Sequence, residues 1–98
     1  MTTKTTEFDA AAYLETEDDI VAYMTEALAS GDAAIVAHAL GVIARARGMS
    51  RIARETGLSR ESLYRALSAD GNPELATVLR IMEAIGLRLT AESVGKAA

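Results

Sequence analysis

Between Met49 and Ser68 the chain reads MSRIARETGLSRESLYRALS, and Gly57 in the middle leaves room for only two short helices, one on each side. Helices of two or three turns do not persist alone in water, so both must dock on something larger. Ser50 is read as the cap of the first, which runs through Thr56; Gly57 supplies the left-handed turn residue, and Ser59 caps the second to about Ser68. Two helices crossing steeply need a small residue where their backbones approach, and Ala53 provides it. Ile52, Leu58 and Leu63 then pin the pair to a core, with Leu58 and Leu63 placed on either side of the Ser59 cap as a hydrophobic staple.

The flanking sequence supplies that core. Thr16 is a cap with Glu17, Asp18 and Asp19 in the first turn, and Ile20, Tyr23, Met24, Ala27 and Leu28 recur at helical spacing until Gly31. Asp32 caps a helix whose Ile35, Val36, Ala39, Leu40, Val42 and Ile43 leave little polar face before Arg45 and Arg47, so it belongs at the centre of the domain. Gly41 inside it invites a close approach by another element. Asn72 as cap and Pro73 at the first helical position open a last helix with the stripe Leu75, Val78, Leu79, Met82 and Ile85, ended by Gly86. Leu87 and Leu89 alternate with Arg88 and Thr90, which reads as a short strand paired with its copy in a dimer or, equally, as a frayed tail. The expected class is all-α with five helices.

At 98 residues the chain makes one small domain, too short to hold a large catalytic cavity beside its own core. The organisation expected is an acidic segment over 1–15 and a domain over 16–98, with the helix pair at 49–68. There are no cysteines, hence no disulfides and no thiolate metal site, and no cofactor is expected. His38, the single histidine, is read as a packing or surface residue rather than a metal ligand. No signal-peptide core or membrane-spanning stretch is visible, so a cytoplasmic protein without a membrane partner is expected. The absence of an activated nucleophile, a phosphate-binding glycine loop or a histidine–carboxylate cluster argues against an enzyme.

The formal net charge of −4 hides an asymmetry. Residues 1–32 hold eight acids against Lys4, whereas six arginines crowd between Arg45 and Arg65. An acidic end and an arginine-rich middle fit a basic partner at one surface and a polyanion at another, although a solvated acidic segment is the plainer alternative for the first. On the second short helix Leu63, Ala66 and Leu67 set the buried arc. Glu61, Arg65 and Ser68 then point away from it, with Tyr64 beside them and Arg60 at the first turn. Arg60 and Arg65 have the fork geometry for guanine, Glu61 can accept from a cytosine amino group, and Tyr64 can pack on a thymine methyl or bond a phosphate. Glu61 could instead pair with Arg65 one turn on, and Tyr64 could edge the core. Ser50, Arg51, Arg54 and Ser59 are placed for phosphates. A purely structural helical hairpin is the alternative to a DNA-reading one.

Nearly the whole chain resembles one family. FDAAAYL, DDIVAYMTEAL and above all GLSRESLYRALS followed by DGNPE and AIGLRL are similar to the HigA-type antidote proteins of bacterial addiction modules, part of the lambda-repressor-like Xre group of helix-turn-helix regulators. The resemblance implies a five-helix lambda-repressor-like domain that represses its own operon and neutralises a small basic toxin of the RelE/HigB type. It places the base-reading residues at Arg60, Glu61, Ser62, Tyr64 and Arg65. A basic toxin would be steered to the acidic segment, where Phe8, Tyr13 and Leu14 are the apolar contact candidates. The expected partners are therefore operator DNA through its major groove, the toxin, and a second copy of the chain. The alternative is a stand-alone or phage-type repressor without a toxin.

Overall fold

Capping chemistry sets where each helix of the computed structural model begins, and burial sets how it lies. The structure describes residues 14–68 and 70–95. It contains α1 (Glu17–Ala29), α2 (Ala33–Arg47), α3 (Met49–Thr56), α4 (Arg60–Ala66) and α5 (Leu75–Ala84). There is no strand among the described residues.

At the start of α1 the Thr16 hydroxyl accepts from the Asp19 amide at 3.1 Å, and the Asp19 carboxylate accepts from the Thr16 amide at 3.2 Å. This reciprocal box satisfies two donors that the first turn otherwise leaves open. Asp32 accepts from the amides of Ala34 and Ile35 to begin α2. From Ala39 to Ala44 every residue of α2 is buried, which makes it the central helix expected from its lack of a polar face. His38 is exposed.

All five helices send at least one side chain to the middle. Met24, Leu40, Ile43, Ile52, Leu63 and Ile81, together with Ile85 just past α5, are essentially removed from water. Burial of such a side chain contributes roughly 1.5–3 kcal/mol. α2 packs against α1, α3 and α5, while α3 also meets α4 and α5.

Two expectations need correction. Ser50 does not cap α3: the helix starts at Met49, and Gly48 is its N-cap at φ 103°, with no side-chain cap bond. Met49, Ile52, Ala53 and Thr56 form the buried stripe, so helical conformation has to begin at Met49 to bring it inward. Asn72 and Pro73 do not open α5 either, since Glu74 occupies the N-cap position and α5 starts at Leu75. The buried arc of α5 turns accordingly. Ile81 and Met82 are inside, Leu75 and Leu79 are 64% and 44% exposed, and Val78 is half-buried. Residues 87–90, read as a strand only in the company of a second copy, form no strand within the single chain; Leu87 and Leu89 are half-buried against the core and Arg88 and Thr90 are exposed.

Candidate nucleic-acid interface

Residues 49–68 fold as two helices joined by a tight turn, and each turn residue has a definable task. Gly57 adopts φ 79°, ψ 8°, a left-handed conformation that costs a side-chain-bearing residue more than glycine. Its amide bonds the Ala53 carbonyl at 3.0 Å. Thr56 is buried, donates its hydroxyl to the Ile52 carbonyl at 2.8 Å and accepts from the Leu58 amide at 3.3 Å. Sequence reasoning gave Thr56 no role beyond ending a helix. It ties the last turn of α3 to the chain that enters α4.

α4 then begins at Ser59, whose hydroxyl oxygen accepts from the Ser62 amide at 3.0 Å and lies 2.9 Å from the Ser62 hydroxyl. Leu63 and Leu67 are buried, and Leu58 packs against the same cluster. At the far end two glycines permit close approach. A Cβ on Gly41 would stand 3.3 Å from the Leu67 carbonyl oxygen, so the central helix touches the end of α4 almost backbone to backbone. A Cβ on Gly71 would run into the Ala66 carbonyl and stand 2.8 Å from that of Arg65. The Gly71 amide meanwhile bonds the Ser68 carbonyl at 2.9 Å. Gly71 thus folds the chain back over the end of α4.

With its inner side fixed in this way, α4 exposes Arg60, Glu61, Tyr64 and Arg65 together. The Arg60 guanidinium lies 5.8 Å from the Tyr64 ring centroid and donates to the Tyr64 hydroxyl at 3.4 Å, a cation–π contact that limits the directions Arg60 can take. Tyr64 is 44% exposed and does not edge the core as the alternative reading had it. Ser62 stands apart from the other four, being half-buried and engaged in the cap.

On α3, Ser50, Arg51 and Arg54 are exposed, as is Ser59 in the turn. Among the described residues the ion pair is Arg51 with Glu55, at 3.2 Å, rather than Glu61 with Arg65. Glu55 therefore competes for one of the cations assigned to phosphate. A shallow concavity of about 370 Å³ beside α4 brings Arg65, Ser68, Asp70 and Asn72 together. Asn72 is exposed there and available as a polar contact, a placement hidden when Asn72 is read as a cap. Of the apolar candidates near the N-terminus, Leu14 is half-buried against the core, and Phe8 and Tyr13 lie outside the described residues.

Among the described residues no group of histidine, cysteine or carboxylate side chains could hold a metal ion, and no helix is long and apolar enough to cross a membrane.

Residues 4–93 match the family model described as probable addiction module antidote protein. The chain belongs to this family. The matched stretch takes in all five helices, so the antidote-family assignment covers the α3–α4 pair and the core that carries it. An uncharacterized protein of Haemophilus influenzae is 48% identical over 88 residues, which span 90% of this chain and 91% of that one. No solved structure matches the chain.

Proposed function

We propose that this antidote-family chain is the antitoxin of a toxin–antitoxin module. In this reading it is a HigA-type member of the Xre, lambda-repressor-like helix-turn-helix group that neutralises a RelE/HigB-like toxin and represses its own operon in the cytoplasm. The observation that carries the DNA part is the α4 face. Arg60, Glu61, Tyr64 and Arg65 project from a helix whose opposite side is locked by Leu63 and Leu67.

Two copies related by a two-fold axis would set their α4 helices in successive major grooves, reading half-sites about one helical turn apart. Arg65 and Arg60 would each grip a guanine through two parallel hydrogen bonds, with Tyr64 steadying Arg60. Arg54, Ser50 and Ser59 would bond phosphates and fix the register, with Arg51 contributing once released from Glu55. Ser62 would contribute through the cap, as a residue that holds the reading helix rather than one that reads. Toxin contact is assigned to the acidic segment, with Phe8 and Tyr13 as its apolar anchors and Leu14 fastening that segment to the core. Toxin binding and operator binding would then be linked, each changing the affinity for the other by the same factor.

Footprinting on the DNA upstream of the chain's own operon tests the reading. Arg65→Ala should lower operator affinity about tenfold or more, in line with about 1–3 kcal/mol for one guanine contact, and relax choice at one base pair in each half-site. Co-expression should let the protein rescue growth arrested by the small basic protein encoded beside it. A footprint that Arg60→Ala and Arg65→Ala both leave unchanged would remove α4 as the reading helix.

A further inference from the structure

The segment after α5 is unlike the rest of the described chain. From Leu87 to Gly95 its backbone hydrogen bonds among the described residues are two: the Leu87 amide to the Met82 carbonyl at 2.8 Å, and the Gly95 amide to the Ser93 hydroxyl at 2.9 Å. Leu87 and Leu89 turn partly inward while Arg88 and Thr90 turn outward, the alternation of an extended chain. Arg88, Thr90, Glu92 and Val94 border a groove of about 860 Å³ whose other wall is the Val21, Thr25 and Leu28 side of α1. Val94 is 84% exposed. An extended segment with unused amides and carbonyls is a template for another strand.

The side chains select which strand. We propose that residues 87–93 pair antiparallel with the same segment of a second copy, in the register that sets Thr90 opposite Thr90. This names an interface for the dimer of the preceding section and rests on that part of the reading alone. In this register Arg88 of each copy falls opposite Glu92 of the other, so two opposite-charge pairs form on the groove side. Leu89 falls opposite Ala91 and Leu87 opposite Ser93 on the inner side.

Neighbouring symmetric registers are worse. With residue 88 or residue 92 on the axis, like charges meet; with 89 or 91 on the axis, Arg88 or Glu92 faces no opposite charge. One step beyond the ribbon the second copy's Val94 would reach Gly86, where nothing lies within 4 Å of the place a Cβ would occupy. Charge complementarity and open space thus favour the same register.

The register can be read chemically, because the chain has no cysteine of its own. Residues directly opposite in an antiparallel pair have Cα atoms about 4.5–5.5 Å apart, within the span a disulfide bridges. Full-length Thr90→Cys should therefore oxidise to a covalent dimer, whereas Leu89→Cys and Ala91→Cys, which are not opposite themselves, should do so at least about tenfold more slowly. In sedimentation equilibrium Arg88→Glu and Glu92→Arg should each raise the dimer dissociation constant about tenfold. The double exchange R88E/E92R, which restores both pairs, should bring it back to within about threefold of the parent.

A double exchange no better than either single change overturns the proposal. So does equal cross-linking at all three positions, or a dimer that Leu79→Glu on α5 disrupts and the charge reversals do not. Operator binding, measured separately by footprinting, keeps the two readings distinct. Rescue without an operator footprint would sink DNA reading and leave the ribbon standing, and a dimeric, DNA-binding protein without rescue would sink toxin neutralisation and again leave the ribbon standing.

Discussion

α2 and α4 are held in place by different means. Seven residues of α2 are buried, and it packs along α1, α3 and α5, so its position is overdetermined by area. α4 has one buried residue, Leu63, with Leu67 just beyond its end, and depends otherwise on a cap at Ser59 and a backbone fold-back at Gly71. A helix meant to present side chains outward cannot also bury most of them. Its orientation must then come from a few contacts at its ends, and those few matter disproportionately.

Leucine truncation gives the largest test of this contrast. Leu40→Ala in α2 and Leu63→Ala in α4 should each cost about 2–5 kcal/mol in denaturant unfolding. Hydrogen exchange should separate them, with Leu63→Ala releasing the amides of α4 ahead of the rest and Leu40→Ala lowering protection throughout. Uniform loss in both would mean that α4 is as deeply integrated as α2.

Gly71→Ala comes next. The added methyl meets carbonyl oxygens of Ala66 and Arg65 rather than a side chain that could swing away, so about 1–3 kcal/mol should be lost and the end of α4 displaced. Chemical-shift changes confined to residues 70–73, with those of 63–68 unmoved, would show that the turn yields instead of the helix. The smallest effect compares like with like: Ser59→Ala and Asp32→Ala each remove one cap, at about 1 kcal/mol. Exchange should rise throughout the seven residues of α4 but only in the exposed first turn of α2, whose buried residues begin at Ala37.

Much of this contrast was legible beforehand. The caps at Thr16, Asp32 and Ser59, the left-handed Gly57, and the interior character of α2 depend on local rules and short-range periodicity, and each is found as read. Gly41 was read as a point of close approach, although only the fold reveals that the end of α4 arrives there. The starts of α3 and α5 were misplaced because strong capping residues stand nearby, Ser50 for one and Asn72 before Pro73 for the other. Burial of Met49 and the path of the 71–74 turn override those preferences. Leu75 and Leu79 were expected inside since an apolar residue at helical spacing reads as core, yet the arc that meets α2 and α3 is centred on Ile81, Met82 and Ile85. For the candidate interface, angular position on α4 was enough to find Arg60, Glu61, Tyr64 and Arg65. Arg51 with Glu55 has the same one-turn spacing that suggested Glu61 with Arg65, whereas the buried bond of Thr56 and the place of Asn72 beside Arg65 require the third dimension.

The scarcity of internal hydrogen bonds between Leu87 and Gly95 also bears on how long the molecule lasts in a cell. A protease active site takes its substrate as an extended strand, and this stretch can enter one without any helix first coming apart. A single cut after Arg88 would leave the five helices and the outward face of α4 intact while separating two copies joined through their tails. Turnover would then begin as a change of valency, with loss of fold only a later event.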